Sequence, residues 1–248
     1  IIYNNLGVVY KDKGEWEKAI GFFEKSLKIR EQYGDRRGMV SALDNLGVTF
    51  AGQGQFDKAL DYANQSVNIC QQIGARDVFP VVQRALGEIY FKLGQHEKGF
   101  SLVQEALELA LKQSSKFNIG KAKRSLGEFY LCLKDWHSAM ELLQTSKTIF
   151  EELNSSFELA QSHESLGLCL AQMALVEPKE KRESLLQESI QTLSQAIKIL
   201  SGLDFEKRLI SLRQKIKEGG LESELGLTIK EIEESTTHIK VKMAEEDK

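Results

Sequence analysis

The chain has 248 residues, of which 42% are hydrophobic and 28% are charged, a balance typical of a folded protein. Its formal net charge of −3 at pH 7 is too small to predict a nucleic-acid or membrane-surface partner. No apolar run approaches the ~20 residues of a membrane-spanning helix, and the first residues carry no signal-peptide pattern. We therefore expect neither a nucleic-acid partner nor a membrane partner.

Three cysteines, Cys70, Cys132 and Cys169, lie far apart within apolar stretches. An odd and scattered set makes no disulfide framework. The pattern favours buried free thiols, a reducing compartment and hence a cytoplasmic location.

A Leu-Gly pair recurs every 40 residues, followed by an aromatic or large apolar residue four positions after the leucine. A fixed period between 20 and 50 residues is the signature of a repeat architecture. The five copies are Leu6-Gly7 with Tyr10, Leu46-Gly47 with Phe50, Leu86-Gly87 with Tyr90, Leu126-Gly127 with Tyr130, and Leu166-Gly167 with Leu170.

Each repeat reads as two amphipathic helices. In the first, apolar residues from Leu6 to Tyr10 and from Ala19 to Leu27 follow a spacing of three and four. Gly14 and Gly34 are placed to end the two helices in a left-handed conformation. A glycine within a helix costs about 1 kcal/mol relative to alanine, so Gly7 and its equivalents indicate close helix crossings. We predict an all-α fold, an α-solenoid of stacked antiparallel helical hairpins.

The later repeats keep this frame with local changes. His96 takes the position of Trp16 and is predicted to pack, and Lys134 replaces the glycine between helices, where Asp135 can cap the next helix instead. The predicted repeats span residues 1–34, 35–74, 75–114, 115–154 and 155–203.

The fifth repeat contains about ten extra residues near 175–184, for which an extended helix start is favoured over a functional loop. Residues 204–218 are predicted to form a capping helix, because Lys217 replaces the glycine of the repeat. Residues 219–248 leave the period, and we expect a polar, non-repeat tail or linker there, with a short helix and a strand as the alternatives.

The recurring residues resemble the tetratricopeptide repeat over about residues 1–218. The 40-residue unit is similar to the longer variety found in kinesin light chains, G-protein signalling modulators, bacterial peptide-sensing regulators and sensory regions of cyclases and kinases. The resemblance implies a right-handed superhelix whose first helices line a concave groove for a segment of a protein partner.

The groove positions that this resemblance implies lie around each repeated leucine. Arg84 with Glu88 and Arg124 with Glu128 could instead form ion pairs within their own helices. The predicted partner-binding residues are Asn4, Asn5, Asp44, Asn45, Arg84, Glu88, Lys121, Arg124, Glu128 and Glu164.

One specific function within the family is disfavoured. Members that clamp the C-terminal carboxylate of chaperones resemble one another in carrying lysine two before the leucine and asparagine two after it. This chain has Asn4 with Val8 and Asp44 with Val48 at those positions. The departure argues against binding of chaperone tails.

The sequence contains no glycine-rich phosphate loop, no histidine spacing for a metal and no Gly-x-Ser-x-Gly turn. We therefore predict a non-catalytic scaffold, without cofactor or metal, that binds a peptide or helix of a partner protein. The alternative is a regulatory or sensor module of a larger signalling enzyme or transcription regulator, since the chain begins at Ile1 inside a repeat. A third hypothesis is an intramolecular contact, in which residues 219–248 or a missing domain fill the groove.

Overall fold

The computed structural model describes residues 1–203 and 205–246, and the side chains among them other than those of Leu227 and residues 240–246. In this part of the chain the secondary structure is entirely helical, which confirms the all-α prediction. The helices are α1 (Ile2–Asp12), α2 (Trp16–Gln32), α3 (Arg36–Gly52), α4 (Phe56–Gln72), α5 (Phe79–Lys92), α6 (His96–Lys112), α7 (Lys116–Cys132), α8 (Trp136–Glu152), α9 (Ser156–Val176), α10 (Lys179–Gly202), α11 (Glu206–Glu218) and α12 (Gly226–Glu246).

The helices belong to two compact units, Ile1–Ser125 and Leu126–Lys248, here called unit 1 and unit 2. In unit 1 the hairpins α1/α2, α3/α4 and α5/α6 follow one another, with α2 against α3 and α4 against α5. Gly14 and Gly34 have φ values of 77° and 66°, as the sequence predicts for helix-ending glycines. The stacked-hairpin prediction is therefore confirmed within this unit.

The glycine of each Leu-Gly pair lies where the two helices of a hairpin touch. A Cβ atom added to Gly7 would lie 2.5 Å from the ring of Phe23, and one added to Gly87 would lie 2.9 Å from the carbonyl oxygen of Gly99. The leucine packs in the other direction: Leu46 belongs to one buried cluster with Ala19 and Phe23 of the preceding hairpin. The pair therefore closes one hairpin and joins it to the one before.

In unit 2 the extra residues of the fifth repeat lengthen both helices of the hairpin. Helix α9 has 21 residues and α10 has 24, whereas α8 has 17. The side chain of Leu193 lies against Gly167 as Phe23 lies against Gly7, which confirms that the repeat frame resumes after the insertion. The extended-helix interpretation is therefore correct.

The C-terminal segment differs from the tail or linker that the sequence predicts. Residues 226–246 form α12, which packs against α10 and α11, so α11 is one helix of a further hairpin and not a bare cap. The apolar residues of this segment recur at helical intervals of four and seven, a spacing that the many charged residues between them conceal. The buried ones are Leu221, Leu225, Ile232 and Ile239. Asp204, the first residue of the predicted cap, and residues 247–248 of the predicted tail lie outside the described residues.

The structure also bears on two local predictions, for Asp135 and for His96. Asp135 accepts a hydrogen bond from the Ser138 backbone N–H at 3.2 Å, which confirms it as the cap of α8, while Lys134 adopts φ 65° in place of the missing glycine. His96 stacks on the ring of Phe91 with centroids 4.5 Å apart, which confirms a packing contact, although the side chain is exposed.

We predict that Gly87→Leu lowers the free energy of unfolding by ~1 to 3 kcal/mol, because the added carbons would meet Val103, Leu102 and the Gly99 carbonyl. Gly21→Leu is the matched control, since a Cβ at Gly21 meets nothing within 4 Å. Urea unfolding followed by circular dichroism measures both. Equal unfolding midpoints for the two variants would contradict the tight crossing of α5 and α6.

A second matched pair tests the packing of α12. Ile232→Ala removes a side chain that is 1% exposed and should cost ~2 to 5 kcal/mol. Ile210→Ala on α11 removes one that is 47% exposed and should change stability by ~0.5 kcal/mol or less. Urea unfolding measures both, and a similar small cost for the two would show that α12 does not stabilise unit 2.

Candidate functional site

The predicted groove residues of unit 1 lie on the first helices of successive hairpins. We call this set the first-helix surface, and it consists of Asn4, Asn5, Asp44, Asn45, Arg84, Glu88, Lys121 and Arg124. Most of them lie within two positions of the repeated leucine, and Lys121 lies five positions before it. Residues of different repeats interact: the charges of Arg84 and Lys121 act on Asp44, although they lie 40 and 77 residues further along the chain.

Arg84 and Glu88 satisfy each other. Arg84 Nη1 donates to Glu88 Oε1, and the hydroxyl of Ser125 donates to the same carboxylate oxygen. Burial alone would raise the pKa of Glu88, but the Arg84 guanidinium and the Ser125 hydroxyl hold it below its usual value. The predicted ion pair within the helix is therefore present, and a partner would have to compete with it for either side chain.

Asp44 is the contrasting member of this surface. Its half-buried carboxylate makes no hydrogen bond or ion pair with any described residue. Burial raises its pKa to about 6, against the opposing positive charges of Arg84, Lys11 and Lys121. Because the side chain is only half-buried, its carboxylate oxygens can accept hydrogen bonds from water or from an external donor.

Amide side chains lie beside Asp44. Asn45 Nδ2 donates to Asn4 Oδ1 over a long 3.4 Å, and Asn5 is exposed with no side-chain partner among the described residues. An amide group both donates and accepts hydrogen bonds, as a peptide group does. Within the first-helix surface, the amides of the first two hairpins thus keep hydrogen-bonding capacity that the fold does not use.

The remaining predicted residues are largely engaged within the fold. Arg124 is 8% exposed, and Lys121 Nζ lies 5.5 Å from the centre of the Phe117 ring. In unit 2, Glu128 accepts a hydrogen bond from Ser165 Oγ at 2.7 Å. Glu164, 3% exposed, accepts one from Lys215 Nζ of α11. These contacts give the acids a role in joining neighbouring helices.

Three contributors to the site were missed from the sequence. Ser125 holds Glu88, and Ser165 holds Glu128 in the same way from the following first helix. The sequence contained a signal for both serines. Where a repeat has glutamate two positions after its leucine, the next repeat has serine one position before its leucine. Lys11 was missed because it lies on α1 outside these positions, yet its charge acts on Asp44.

Metal, thiol and membrane chemistry find no support in the described part of the chain. No group of three His, Cys, Asp or Glu side chains there is arranged to hold a metal ion. The thiols of Cys70 and Cys169 are buried as predicted, whereas the prediction is wrong for Cys132, which is exposed. Burial raises the pKa of Cys169 to about 12. None of the helices formed by these residues is both long and apolar enough to cross a bilayer.

Family models of the tetratricopeptide repeat match residues 1–72 and 85–113. These matches confirm the resemblance seen in the sequence within the two stretches. No curated protein matches the chain.

Solved structures with a similar fold include regulators and a sensor. A Rap protein complexed with Competence and Sporulation Factor shares 17% identity, over 98% of this chain and 75% of that one, with a TM-score of 0.67. The Rap conjugation gene regulator of plasmid pLS20, in complex with the Phr* peptide, shares 13% identity, over 96% of this chain and 73% of that one, with a TM-score of 0.66. At these identities the likeness shows the fold alone.

A third similar structure is a signal transduction ATPase with numerous domains from Pyrococcus horikoshii, which has a tetratricopeptide repeat sensor. It shares 22% identity over 96% of this chain, with a TM-score of 0.57. This chain spans 38% of that protein.

Asp44 should make stability depend on pH. Its pKa is about 6 when folded, above the ordinary 3.8, so the folded state binds the proton more tightly than the unfolded state does. The stability contributed by the protonated carboxyl is complete below pH ~4 and is lost as the pH rises through 6. Asp44→Asn should therefore match the parent at low pH and exceed it at pH 8 by on the order of 2 to 3 kcal/mol.

Urea unfolding of the parent and of Asp44→Asn from pH 4 to pH 8 measures this difference. Asp61→Asn on α4 is the matched control, because Asp61 is exposed and should show no such dependence. A constant difference between Asp44→Asn and the parent across this range would mean that Asp44 ionises normally in the folded protein.

Proposed function

We propose that the chain is a non-catalytic interaction module whose first-helix surface binds a peptide or helix of a protein partner. The observation that carries this proposal is Asp44, a half-buried carboxylate that lacks a partner between the paired Arg84–Glu88 and the open amides of Asn4, Asn5 and Asn45. Keeping a partly buried carboxylate ionised without a hydrogen-bond donor costs free energy, and a ligand that supplies a donor would reduce that cost.

The chemistry of the surface suggests how a peptide is held. The amides of Asn5 and Asn45 can bond to peptide N–H and C=O groups, while Asp44 accepts from a backbone N–H or a cationic group of the ligand. Two of the similar structures are complexes, one with Competence and Sporulation Factor and one with the Phr* peptide. Those ligands belong to those proteins, but they support a peptide as the class of ligand for this fold.

We propose a smaller binding site than the sequence predicts. Arg84, Glu88, Glu128 and Glu164 have partners inside the fold, so they are poorer candidates for direct contact with a ligand. We place the main contacts on the first two hairpins, with Arg84 acting through its charge on Asp44.

The class of partner and the location in the cell follow from more general features. A net charge of −3 gives no electrostatic reason for nucleic-acid or membrane-surface binding. All three cysteines are free, as expected in a reducing compartment. We therefore propose a protein partner and a cytoplasmic location.

The second candidate function is a sensor module of a larger signalling protein. Its support is the likeness to the repeat sensor of the signal transduction ATPase, of which this chain spans 38%. In that case peptide binding at the same surface would control an effector domain, so the two candidates share one binding site. They differ in what binding does, and the gene sequence on either side of this segment would distinguish them.

The peptide proposal is tested by selecting a display library of random 12-residue peptides on the chain at pH 7.5. Recovered peptides should bind Asp44→Asn at least ~10-fold more weakly than the parent, because a hydrogen bond to a charged group contributes about 1.5 to 3 kcal/mol. Asp61→Asn should bind as the parent does. Affinity of the parent should rise between pH 5 and pH 7, as Asp44 ionises, and stay constant with pH in Asp44→Asn.

Calorimetry or fluorescence polarisation measures these affinities. Failure to recover any specific peptide would contradict the proposal. Recovery of peptides that bind the parent and Asp44→Asn equally would place the binding surface elsewhere.

A further inference from the structure

A second feature of unit 1 is a surface cavity of about 710 Å³ between the second and third hairpins. The C-terminal ends of α4 and α6 and the turn between α4 and α5 surround it. Its apolar lining comes from Cys70, Ala75, Phe79 and Leu109. It shares no residue with the first-helix surface. Its volume lies in the range of cavities that hold small molecules.

Two small residues, Cys70 and Ala75, line the cavity at positions where some other hairpins have larger side chains. At the preceding junction, Arg30 takes the position of Cys70 and pairs with Asp35, which takes the position of Ala75, at 2.5 Å. In unit 2 the position of Cys70 is taken by Phe150, which is fully buried. A thiol and a methyl group occupy less space than those side chains do, although the third hairpin also has small residues, Ala110 and Ser115, at these positions.

The turn beside the cavity also departs from the repeat. Helix α5 begins at Phe79, whereas α3 begins at Arg36, the equivalent of Arg76. Ala75 cannot cap a helix as Asp35 does, and no side chain caps α5. The Gln113 side chain donates to the Arg76 carbonyl oxygen at 2.7 Å and so ties this turn to the end of α6.

The charge at the cavity has one sign. Arg76 and Lys112 lie at its rim, and neither side chain forms a hydrogen bond or ion pair with any described residue. The nearest acid in the sequence, Asp77, pairs with Arg37 instead. No Asp or Glu lines the cavity. Two cations at the rim of an apolar cavity complement an anionic group on an apolar body.

Covalent capture by Cys70 is not part of this arrangement. Its thiol donates to the Ala75 carbonyl oxygen at 3.3 Å, and burial raises its pKa. The group therefore stays protonated and serves as an apolar wall.

We propose that this cavity binds a small amphipathic carboxylate, with its hydrocarbon body between Phe79 and Leu109 and its carboxylate at Arg76 and Lys112. The proposal is independent of peptide binding at the first-helix surface, because the two sites share no residue. Recognition is non-covalent, so binding is reversible and saturable at one site per chain.

The probe is decanoate, titrated into the full chain by calorimetry below its micelle concentration. Octanoate should bind more weakly by roughly fourfold for each missing methylene group. Decan-1-ol and decyltrimethylammonium have the same hydrocarbon chain and should bind at least ~10-fold more weakly than decanoate, because they lack the anionic group.

Two variants test the two parts of the cavity. Cys70→Phe introduces the residue found at the equivalent position 150 and should abolish decanoate binding by filling the cavity. If Cys70→Phe fails to fold, Leu109→Trp fills the cavity from the other side. Arg76→Gln with Lys112→Gln should weaken decanoate binding about tenfold and leave decan-1-ol binding unchanged. Lys28→Gln with Lys198→Gln is the control for net charge, since both lysines are exposed and lie outside the cavity lining.

Loss of decanoate binding in the filled and uncharged variants alone would support the proposal. No saturable decanoate binding, equal binding of decan-1-ol or decyltrimethylammonium, or unchanged decanoate binding in a folded filled variant would overturn it.

Discussion

The close approach of two helices at the repeated glycine is the constraint on which the rest of the fold depends. Where a Cβ would meet a backbone carbonyl, as at Gly87 against Gly99, the helices can touch only because the side chain is absent. That contact sets the angle and depth of each hairpin. The adjacent leucine then packs toward the preceding hairpin, as Leu46 does with Phe23, so one dipeptide defines both contacts of a repeat.

A fold maintained by so few positions leaves the other positions of each first helix free to vary, and the proposed binding residues lie among these. Most charged residues there are nonetheless occupied. Glu88 is held by Arg84 and Ser125, and Glu164 by Lys215. Asp44 has no such partner among the described residues and keeps a pKa of about 6 at a cost in stability. The acids of the first helices therefore differ in role: Glu88 and Glu164 join helices, whereas Asp44 does not.

Departures from the repeat are as informative as the repeat itself. Cys70 and Ala75, which line a cavity, take the positions of the Arg30–Asp35 pair, and the residues added to the fifth repeat lengthen α9 and α10. The C-terminal segment leaves the 40-residue period but continues the stacking principle, since Ile232 and Ile239 of α12 enter the core of unit 2. Its charged composition hid a helical spacing that was present in the sequence.

The sequence by itself determined the helical hairpins of the 40-residue repeats and the role of the Leu-Gly pair, because these depend on local spacing and on backbone conformation at residues such as Gly14 and Gly34. It also identified which face of the first helices to search. It did not determine the hairpin of α11 and α12. Only the tertiary structure decided which of those side chains are satisfied, because the partners of Glu88 and Glu164 lie 37 and 51 residues away. The unpaired state of Asp44 and the cavity beside Cys70 depend on how several helices pack together, and a local sequence pattern does not contain that information.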